Sequence, residues 1–284
     1  MTKTIWGIRS GLIGDTLMSL PILEFLYETH PDYYKLFVIE QKCKQAAELY
    51  RGHPHIDNIL ITVHNDGLLT QEEENIKNSC DIIFNIAPPH PREQDWFNYR
   101  NCVEETALMA GIDPVNVKNK KPKLYKWFET EKYNKTIAIF PFAGYNKWHS
   151  RNPTPSWWQK TIKSLIEMNY SVLHCGYITE PTLSQDSKYK KITNLEYFEQ
   201  IKITHACNLT IGTDSGSMWA VGAYGLPQIN LLTNHMGGCH NRNFLALAPE
   251  NYMNNAINLF AENCCDNIKL EDVLKAVLEI DKND

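Results

Sequence analysis

The 284-residue sequence has no long hydrophobic run, because no segment reaches the ~18 consecutive apolar residues that a membrane-spanning helix needs. The stretch from Met1 to Asp15 also lacks the continuous apolar region of a secretion signal, since a glycine-containing turn interrupts it. We therefore expect a cytoplasmic protein without a transmembrane segment. Peripheral contact with a membrane surface stays open.

Cysteine pairs and an excess of positive charge are also missing. The eight cysteines are scattered, and no C-x-x-C pair with the spacing of a zinc site occurs. We therefore expect reduced thiols and no metal site. Lysine and arginine number 28 against 33 acidic residues, which gives a net charge of −5. This balance disfavours a broad nucleic-acid surface but does not exclude a local basic groove.

Strand and helix patterns alternate twice along the chain. In the first half, strands are predicted at 4–8, 35–40, 56–63 and 82–86, and helices at 16–29, 45–50 and 98–109, with Pro21 kinking or restarting the first helix. In the second half, strands are predicted at 136–140, 171–175, 209–211 and 228–232, and helices at 156–169, 195–203, 218–224 and 270–280. Such alternation is typical of parallel sheets covered by helices. The sequence predicts an α/β protein of two Rossmann-like domains, residues 1–130 and 131–284, facing across a cleft.

Residues 207–227 carry the clearest functional pattern. A short apolar strand runs into Gly212, a polar turn follows from Thr213 to Ser217, and a helix of small residues comes next. The start of a helix offers unpaired N–H groups and a partial positive charge, which suit a phosphate. The alternative is an ordinary strand-to-helix turn in which Asp214 or Ser215 caps the helix.

The first predicted strand ends in a second glycine-containing turn. Arg9, Gly11, Gly14 and Asp15 follow one another there, with Asp15 at or beside the start of the next helix. A carboxylate in that place could act as a general base toward a hydroxyl, or it could simply cap the helix. A nicotinamide-binding turn is the rival interpretation, with Glu40 at the position of a ribose-binding acid, but Arg9 stands where that motif needs its first glycine.

Four segments together resemble glycosyltransferase family 9, the heptosyltransferase-like enzymes. They are IRSGLIGDTLMSLPIL, LYRGHPHIDNILI, IAIFPFAGYNKWHSRNPTPSWW and IGTDSGSMWAVGAYGLP, and they match in order between about residues 4 and 232. The resemblance implies the GT-B fold of two facing Rossmann-like domains. It also implies an inverting, metal-independent transferase whose second domain binds a nucleotide-sugar donor and whose first domain binds the acceptor.

The same resemblance implies roles for residues of the two turns. Asp15 becomes the catalytic base. The turn at Ser215, Gly216 and Ser217 holds the donor diphosphate, and Asp214 orients that turn or contacts the donor.

The chain departs from the family pattern in three places, and it is shorter than typical members. Trp219 stands where the family usually has histidine, Ser150 where it has a phosphate-binding lysine, and Asn152 where it has tryptophan. The charge missing at Ser150 could come from the nearby Lys147, His149 or Arg151, or these residues could form a solvated basic loop.

Further candidates are assigned by position alone. Arg9 is expected to face the cleft, Glu180 to bind the donor ribose or lie at the surface, and His53 to shape the acceptor side or have no role. Asn234 and His235 could belong to a substrate loop. Trp6, Trp157 and Trp158 are expected in cores or interfaces rather than as stacking platforms.

The functional prediction is transfer of a sugar from a nucleotide-diphosphate sugar, with ADP-heptose favoured, to a hydroxyl of a glycan such as lipopolysaccharide core. No cofactor is expected. Three other functions stay open: transfer to hydroxylated bases of viral DNA, NAD-dependent oxidation and reduction, and non-catalytic binding of a nucleotide sugar. A sugar-nucleotide epimerase is a minor further alternative. The nucleotide, the sugar, the acceptor and the oligomeric state cannot be deduced from the sequence.

Overall fold

A computed structural model describes residues 3–9, 13–65, 68–86, 102–117, 120–144, 152–233 and 255–282. The chain divides into two compact units, Met1–Trp127 and Phe128–Asp284. The observed boundary, after residue 127, lies three residues before the expected one, after residue 130. Among the described residues, no helix combines the length and apolar character required to cross a bilayer.

The first unit contains a parallel sheet with strand order β3-β2-β1-β4. Its strands are β1 (Thr4–Arg9), β2 (Tyr34–Ile39), β3 (Asn58–Ile61) and β4 (Ile82–Ile86). Its helices are α1 (Ile13–Met18), α2 (Leu20–Thr29), α3 (Gln71–Asn78) and α4 (Cys102–Met109), with 3₁₀ helices at Gln41–Tyr50 and Pro114–Asn116. The predicted helix at 98–109 is described only from residue 102.

Pro21 separates the first two helices. It lies in the first turn of α2, where its missing N–H leaves no bond unmade. The break falls at Ser19, whose hydroxyl donates to the Thr16 carbonyl at 2.6 Å. The predicted restart at Pro21 is confirmed. Residues 13–18 therefore form a separate short helix directly after β1, and this helix carries Asp15.

The second unit contains a parallel sheet with strand order β10-β9-β8-β5-β6-β7. Its strands are β5 (Thr136–Phe140), β6 (Ser171–His174), β7 (Tyr189–Lys191), β8 (Leu209–Thr213), β9 (Gln228–Thr233) and β10 (Ala256–Ala261). Its helices are α5 (Pro155–Glu167), α6 (Tyr197–Thr204), α7 (Gly216–Ala223) and α8 (Leu270–Asp281), with a 3₁₀ helix at Cys265–Asn267. Counted within the unit, this is the 3-2-1-4-5-6 order of a Rossmann fold.

Burial of alternating apolar side chains builds both cores. In the second unit, Trp158 and Ile162 of α5 pack with Ile139 of β5 and Val277 of α8, and all four are fully buried. Trp158 also donates its indole N–H to the Pro141 carbonyl at 3.2 Å, so its polar atom is satisfied.

The other two tryptophans that the sequence analysis assigned to cores or interfaces also pack into the structure. Trp6 of β1 is fully buried in the first unit. Trp157 is partly buried against the core of the second unit, and its indole donates to the Ile268 carbonyl at 3.0 Å. Together with Trp158, these positions confirm the expectation that all three tryptophans serve packing.

Candidate active site

Both predicted turns lie at the topological switch point of their sheets. In the first unit, β1 lies between β2 and β4, so the chain changes direction across the sheet between β1 and β4. In the second unit, β5 lies between β6 and β8, which makes the corresponding switch between β5 and β8. Open α/β sheets bind ligands beyond the carboxyl ends of their strands at such points. The turns after β1 and β8 are therefore the expected ligand positions of the two units.

The turn between β8 and α7 has the geometry of a capped helix start. Ser215 is the N-cap residue in extended conformation, and its hydroxyl accepts a 3.4 Å hydrogen bond from the Met218 N–H. The cap occupies the third helical N–H, so the N–H groups of Gly216 and Ser217 have no partner within the helix. These two groups, with the helix dipole, are available to an anion. The Ser215 cap is confirmed. It is compatible with the anion-site interpretation, which stays a prediction, because Ser215 uses its side chain and leaves the next two N–H groups without a bond inside the helix.

A side-chain hydrogen bond fixes Asp214 in this turn. The indole N–H of Trp219, one turn into α7, donates to Asp214 Oδ1 at 3.2 Å. Trp219 is buried, and so is Thr213 at the end of β8. The residue that replaces the family's usual histidine therefore orients the carboxylate of the turn.

Glycine is required at position 212 because helix α7 packs directly on β8. A Cβ atom there would lie 2.6 Å from the Met218 sulfur and 2.9 Å from the Phe140 carbonyl oxygen. Contacts this short force the neighbours to move. Gly212 thus sets how closely the N-terminus of α7 approaches the ends of β5 and β8.

Asp15 lies in the first turn of α1 but is not its cap. The helix begins at Ile13, so Asp15 and Gly14 are inside it, and Asp15 is half-buried. The expectation that Asp15 stands at or beside the N-cap is wrong, because the helix starts at Ile13, three residues earlier than the sequence pattern indicated. The side chain of the following residue, Thr16, bonds to the Ile13 carbonyl at 2.8 Å and to the Tyr50 hydroxyl at 2.7 Å, which ties α1 to the neighbouring 3₁₀ helix.

A second carboxylate acts on the same thiol as Asp15. Glu40, which directly follows β2, is buried and forms a 2.9 Å ion pair with Lys42. Burial raises the pKa of the Cys43 thiol to about 11; Lys42 opposes that rise, while the negative charges of Glu40 and Asp15 add to it. Both carboxylates are therefore near the same thiol. Sequence reasoning considered Glu40 only as a ribose-binding acid, and its pairing with Lys42 gives it a structural role.

His53 is buried and neutral. Its Nδ1 accepts from the His55 N–H at 3.2 Å, so its Nε2 carries the proton and donates to the Lys123 carbonyl at 3.2 Å. Burial is the main cause that lowers the pKa of His53 to about 4, and the nearby His55 contributes to the lowering. His53 therefore holds residue 123 against the loop before β3, and an acceptor-side role stays a prediction.

Glu180 lies in the loop after β6 and is buried, so the alternative that placed it at the surface is wrong. Its Oε1 accepts from the Tyr177 N–H at 2.8 Å, and its Oε2 lies 2.8 Å from His174 Nε2. Both carboxylate oxygens are engaged inside the protein. A contact between this loop and the donor stays a prediction.

Several predicted residues lie outside the described part of the chain. They are Gly11, Lys147, His149, Ser150, Arg151, Asn234 and His235, together with the side chain of Arg9. Within the described residues, no cluster of three or more histidine, cysteine, aspartate or glutamate side chains could hold a metal ion.

Comparison with known proteins identifies the fold. No family model matches the sequence, and no curated protein matches it. The glycosyl transferase family 9 structure from Veillonella parvula DSM 2008 matches with a TM-score of 0.72 over 99% of this chain and 98% of that chain, at 14% identity. E. coli ADP-heptose lps heptosyltransferase II matches with a TM-score of 0.64 over 99% and 98%, at 12% identity. The E. coli heptosyltransferase WaaC with ADP matches with a TM-score of 0.65 over 98% and 99%, at 11% identity.

The fold matches that of glycosyltransferase family 9 structures. The resemblance drawn from the four sequence motifs is thereby confirmed at the level of the fold, and so is the α/β class with two Rossmann-like units. At 14% identity or less the similarity does not extend to the donor, the acceptor or the mechanism.

The replacement of the family's tryptophan by Asn152 has a structural reason in this fold. Asn152 is buried, and its amide bonds to both backbone groups of Ala143: Oδ1 accepts from the Ala143 N–H at 2.7 Å, and Nδ2 donates to the Ala143 carbonyl at 3.3 Å. Residues 143 and 152 are thus held together just beyond the end of β5. Sequence reasoning missed this role, which the polar residue type alone could have indicated.

Proposed function

We propose that this protein is an inverting, metal-independent glycosyltransferase that moves a sugar from a nucleotide-diphosphate sugar to an acceptor hydroxyl. One observation carries the proposal: each unit places the group that this chemistry needs at its own switch point. The first unit has the Asp15 carboxylate in the helix after β1, and the second has the N–H groups of Gly216 and Ser217 in the turn after β8. Similarity in fold to family 9 structures supports the assignment.

The turn after β8 suits the leaving group of the donor. When the sugar departs, negative charge develops on the nucleoside diphosphate, and preorganised donors stabilise such charge. The N–H groups of Gly216 and Ser217 and the dipole of α7 supply part of this stabilisation. In our proposal Lys147, His149 and Arg151 supply positive charge, which replaces the lysine that the family has at position 150.

Asp15 serves as the general base. It accepts the proton of the acceptor hydroxyl while the hydroxyl oxygen forms a bond to the anomeric carbon of the donor sugar. The bond between that carbon and the diphosphate oxygen breaks at the same time, and the electron pair leaves with the diphosphate. Because attack and departure occur on opposite faces, the anomeric configuration inverts.

The donor and acceptor are proposed from what proteins of similar structure act on or bind. One is an ADP-heptose lipopolysaccharide heptosyltransferase, and another was solved with ADP. We therefore propose an ADP-linked heptose or similar sugar as donor and a glycan such as lipopolysaccharide core as acceptor, with a cytoplasmic location. Transfer to hydroxylated bases of DNA, a nicotinamide-dependent activity and non-catalytic binding remain the alternatives.

The decisive variant is Asp15→Asn, which removes the base and keeps the shape of the side chain. Release of nucleoside diphosphate from nucleotide sugars, measured with candidate glycan acceptors, should fall by about 100- to 10,000-fold while the affinity for the free diphosphate stays unchanged. Asp32→Asn is the matched control, because Asp32 is exposed in the turn before β2, at the opposite edge of the same sheet. Unchanged turnover, or loss of diphosphate binding in a folded Asp15→Asn protein, would contradict the assigned role.

A further inference from the structure

Two large apolar side chains are exposed in the loop after β6. Tyr177 is 58% exposed and Ile178 is 69% exposed, although the strand that precedes them is part of the core. The loop begins at the carboxyl end of β6, which lies beside β5 and so next to the switch point of the second unit. Exposed apolar groups at the ligand-binding edge of a sheet mark a contact surface.

Three polar side chains, two of them buried, hold the backbone of this loop. Gln200 bonds to both backbone groups of Gly176: its Oε1 accepts from the N–H at 2.6 Å, and its Nε2 donates to the carbonyl at 3.1 Å. The Glu180 carboxylate accepts from the Tyr177 N–H at 2.8 Å. Lys191 of β7 donates to the carbonyls of Ile178 and Glu180.

A buried chain of side chains in turn fixes Glu180. The Tyr189 hydroxyl accepts from the Leu183 N–H at 3.1 Å and lies 2.6 Å from His174 Nδ1, to which it can donate. His174 Nε2 then donates to Glu180 Oε2 at 2.8 Å. The Glu180 carboxylate also occupies the space beside Gly176, where a Cβ atom would lie 2.5 Å from either oxygen, and Gly176 has φ +139°. These bonds hold the backbone of the loop, and the apolar side chains at its tip are exposed.

We infer that Tyr177 and Ile178 contact the base of the donor nucleotide, and that Glu180 and Gln200 are positioning residues that hold this contact surface. The inference rests on the proposed function and deepens it. The end of β6 lies two strands from the end of β8, which is about 10 Å at the usual strand spacing. A nucleoside diphosphate has its base and its terminal phosphate at opposite ends, so it can extend from the turn at Gly216 to the loop at Tyr177.

The chemistry of the two side chains suits a planar base. The tyrosine ring can stack on the face of a purine or pyrimidine, and the isoleucine methyl groups can cover its edge. Glu180 then serves the donor by holding the Tyr177 backbone, because both of its oxygens are already bonded within the protein.

The test compares a ligand that has a base with one that lacks it. Binding of ADP, UDP and GDP to the full chain is measured by calorimetry, with inorganic pyrophosphate as the base-free probe. For the tightest of the three nucleotides, Tyr177→Ala should weaken binding about tenfold and leave pyrophosphate binding unchanged. Tyr177→Phe should retain the affinity for the nucleotide. The matched control is Tyr133→Ala, which removes an exposed tyrosine near the opposite edge of the same sheet, before β5.

Glu180→Gln tests the positioning role. It should weaken nucleotide binding without changing pyrophosphate binding, and its folding is checked by its melting curve. The exposed Tyr177 variants keep the inference testable if this buried variant does not fold. If the wild-type protein binds nucleotide more tightly than pyrophosphate and Tyr177→Ala binds nucleotide just as tightly as the wild type, the inference is overturned. The proposed function is not affected by that outcome. A wild-type protein that binds none of the three nucleotides would overturn the proposed function together with the inference.

Discussion

At the scale of single residues, the structure gives partners to side chains that the sequence singled out by type. Asp214 was assigned to the donor turn, and the hydrogen bond from Trp219 shows how it is oriented. An indole N–H can only donate and does not titrate, so the donor of this bond is the same at every pH, unlike a histidine. The substitution of tryptophan for histidine therefore exchanges a titratable donor for one that does not titrate.

His53 should make the stability of the protein depend on pH. In the unfolded chain this histidine binds a proton near pH 6.5, but in the folded protein its pKa is about 4, because burial disfavours the charged ring. The contribution of His53 to the stability of the folded state is therefore fully present above pH 6.5, and it is lost as the pH falls from 6.5 toward 4. The loss attributable to this residue is about 3 kcal/mol, from 1.36 kcal/mol per unit of pKa.

The comparison of wild type with His53→Gln isolates this contribution. Denaturant unfolding at a series of pH values between 7 and 4 should show a shallower decline of stability in the variant, which has no proton to bind. Parallel curves for the two proteins would contradict the assignment of a buried, neutral His53.

At the scale of elements, most strands and the longer helices follow from the sequence, whereas the edge strand β7 and the polar helix α3 do not. Strands β1, β2, β5 and β8 lie within a residue or two of their predicted bounds, because their described apolar residues are largely buried. The edge strand β4 also has its predicted bounds, although its described side chains are partly exposed. β7 is a three-residue strand rich in lysine, and its identity comes only from pairing with β6. α3 was missed because its sequence, QEEENIKN, has almost no apolar face.

A local signal for α3 was nevertheless present. Thr70 and Glu73 form a capping box: the Thr70 N–H donates to the Glu73 carboxylate at 2.6 Å, and the Glu73 N–H donates to the Thr70 hydroxyl at 3.2 Å. The spacing T-x-x-E marks such a helix start. The segment predicted as a helix over 45–50 is instead a 3₁₀ helix over Gln41–Tyr50.

Gly212→Ala should test how α7 is placed. The added methyl group would meet the Met218 side chain and the Phe140 carbonyl oxygen at distances below 3 Å, so α7 or β8 must shift. We expect a loss of about 1–3 kcal/mol in the free energy of unfolding, with weaker binding of nucleoside diphosphate. The control is Gly7→Ala in β1, where the nearest atom to an added Cβ is 3.9 Å away. Equal melting temperatures for Gly212→Ala and wild type would show that the packing of α7 on β8 is looser than the structure indicates.

At the scale of the whole molecule, each unit carries one of the two turns beside the switch point of its sheet. The first turn follows β1, the first strand of its unit, and the second follows β8, the fourth strand of its unit. A carboxylate and a pair of helix N-terminal N–H groups, more than 200 residues apart in a 284-residue chain, therefore both lie where Rossmann-like sheets bind ligands. A nicotinamide enzyme would need only one such turn for its cofactor.

A thermal-shift series discriminates between these two uses of the fold. Because a ligand that binds the native state stabilises it, a nucleoside diphosphate at about 100 times its Kd should add about 2.7 kcal/mol and raise the melting temperature. NADH at the same concentration should leave the melting temperature unchanged. Stabilisation by NADH but by none of ADP, UDP or GDP would favour the oxidoreductase alternative and contradict the proposed transferase.

The sequence by itself determined the α/β class, the alternation of strands and helices, and the two turns that carry Asp15 and Ser215, because these depend on apolar periodicity and on glycine and cap residues close together in the chain. Only the tertiary structure decided what the polar residues near those turns do. Glu180, Asn152 and Trp219 act through partners that chain folding brings within hydrogen-bond distance. Residue type and spacing specify that a buried carboxylate or amide needs a partner, and the packing of the elements specifies which partner it finds.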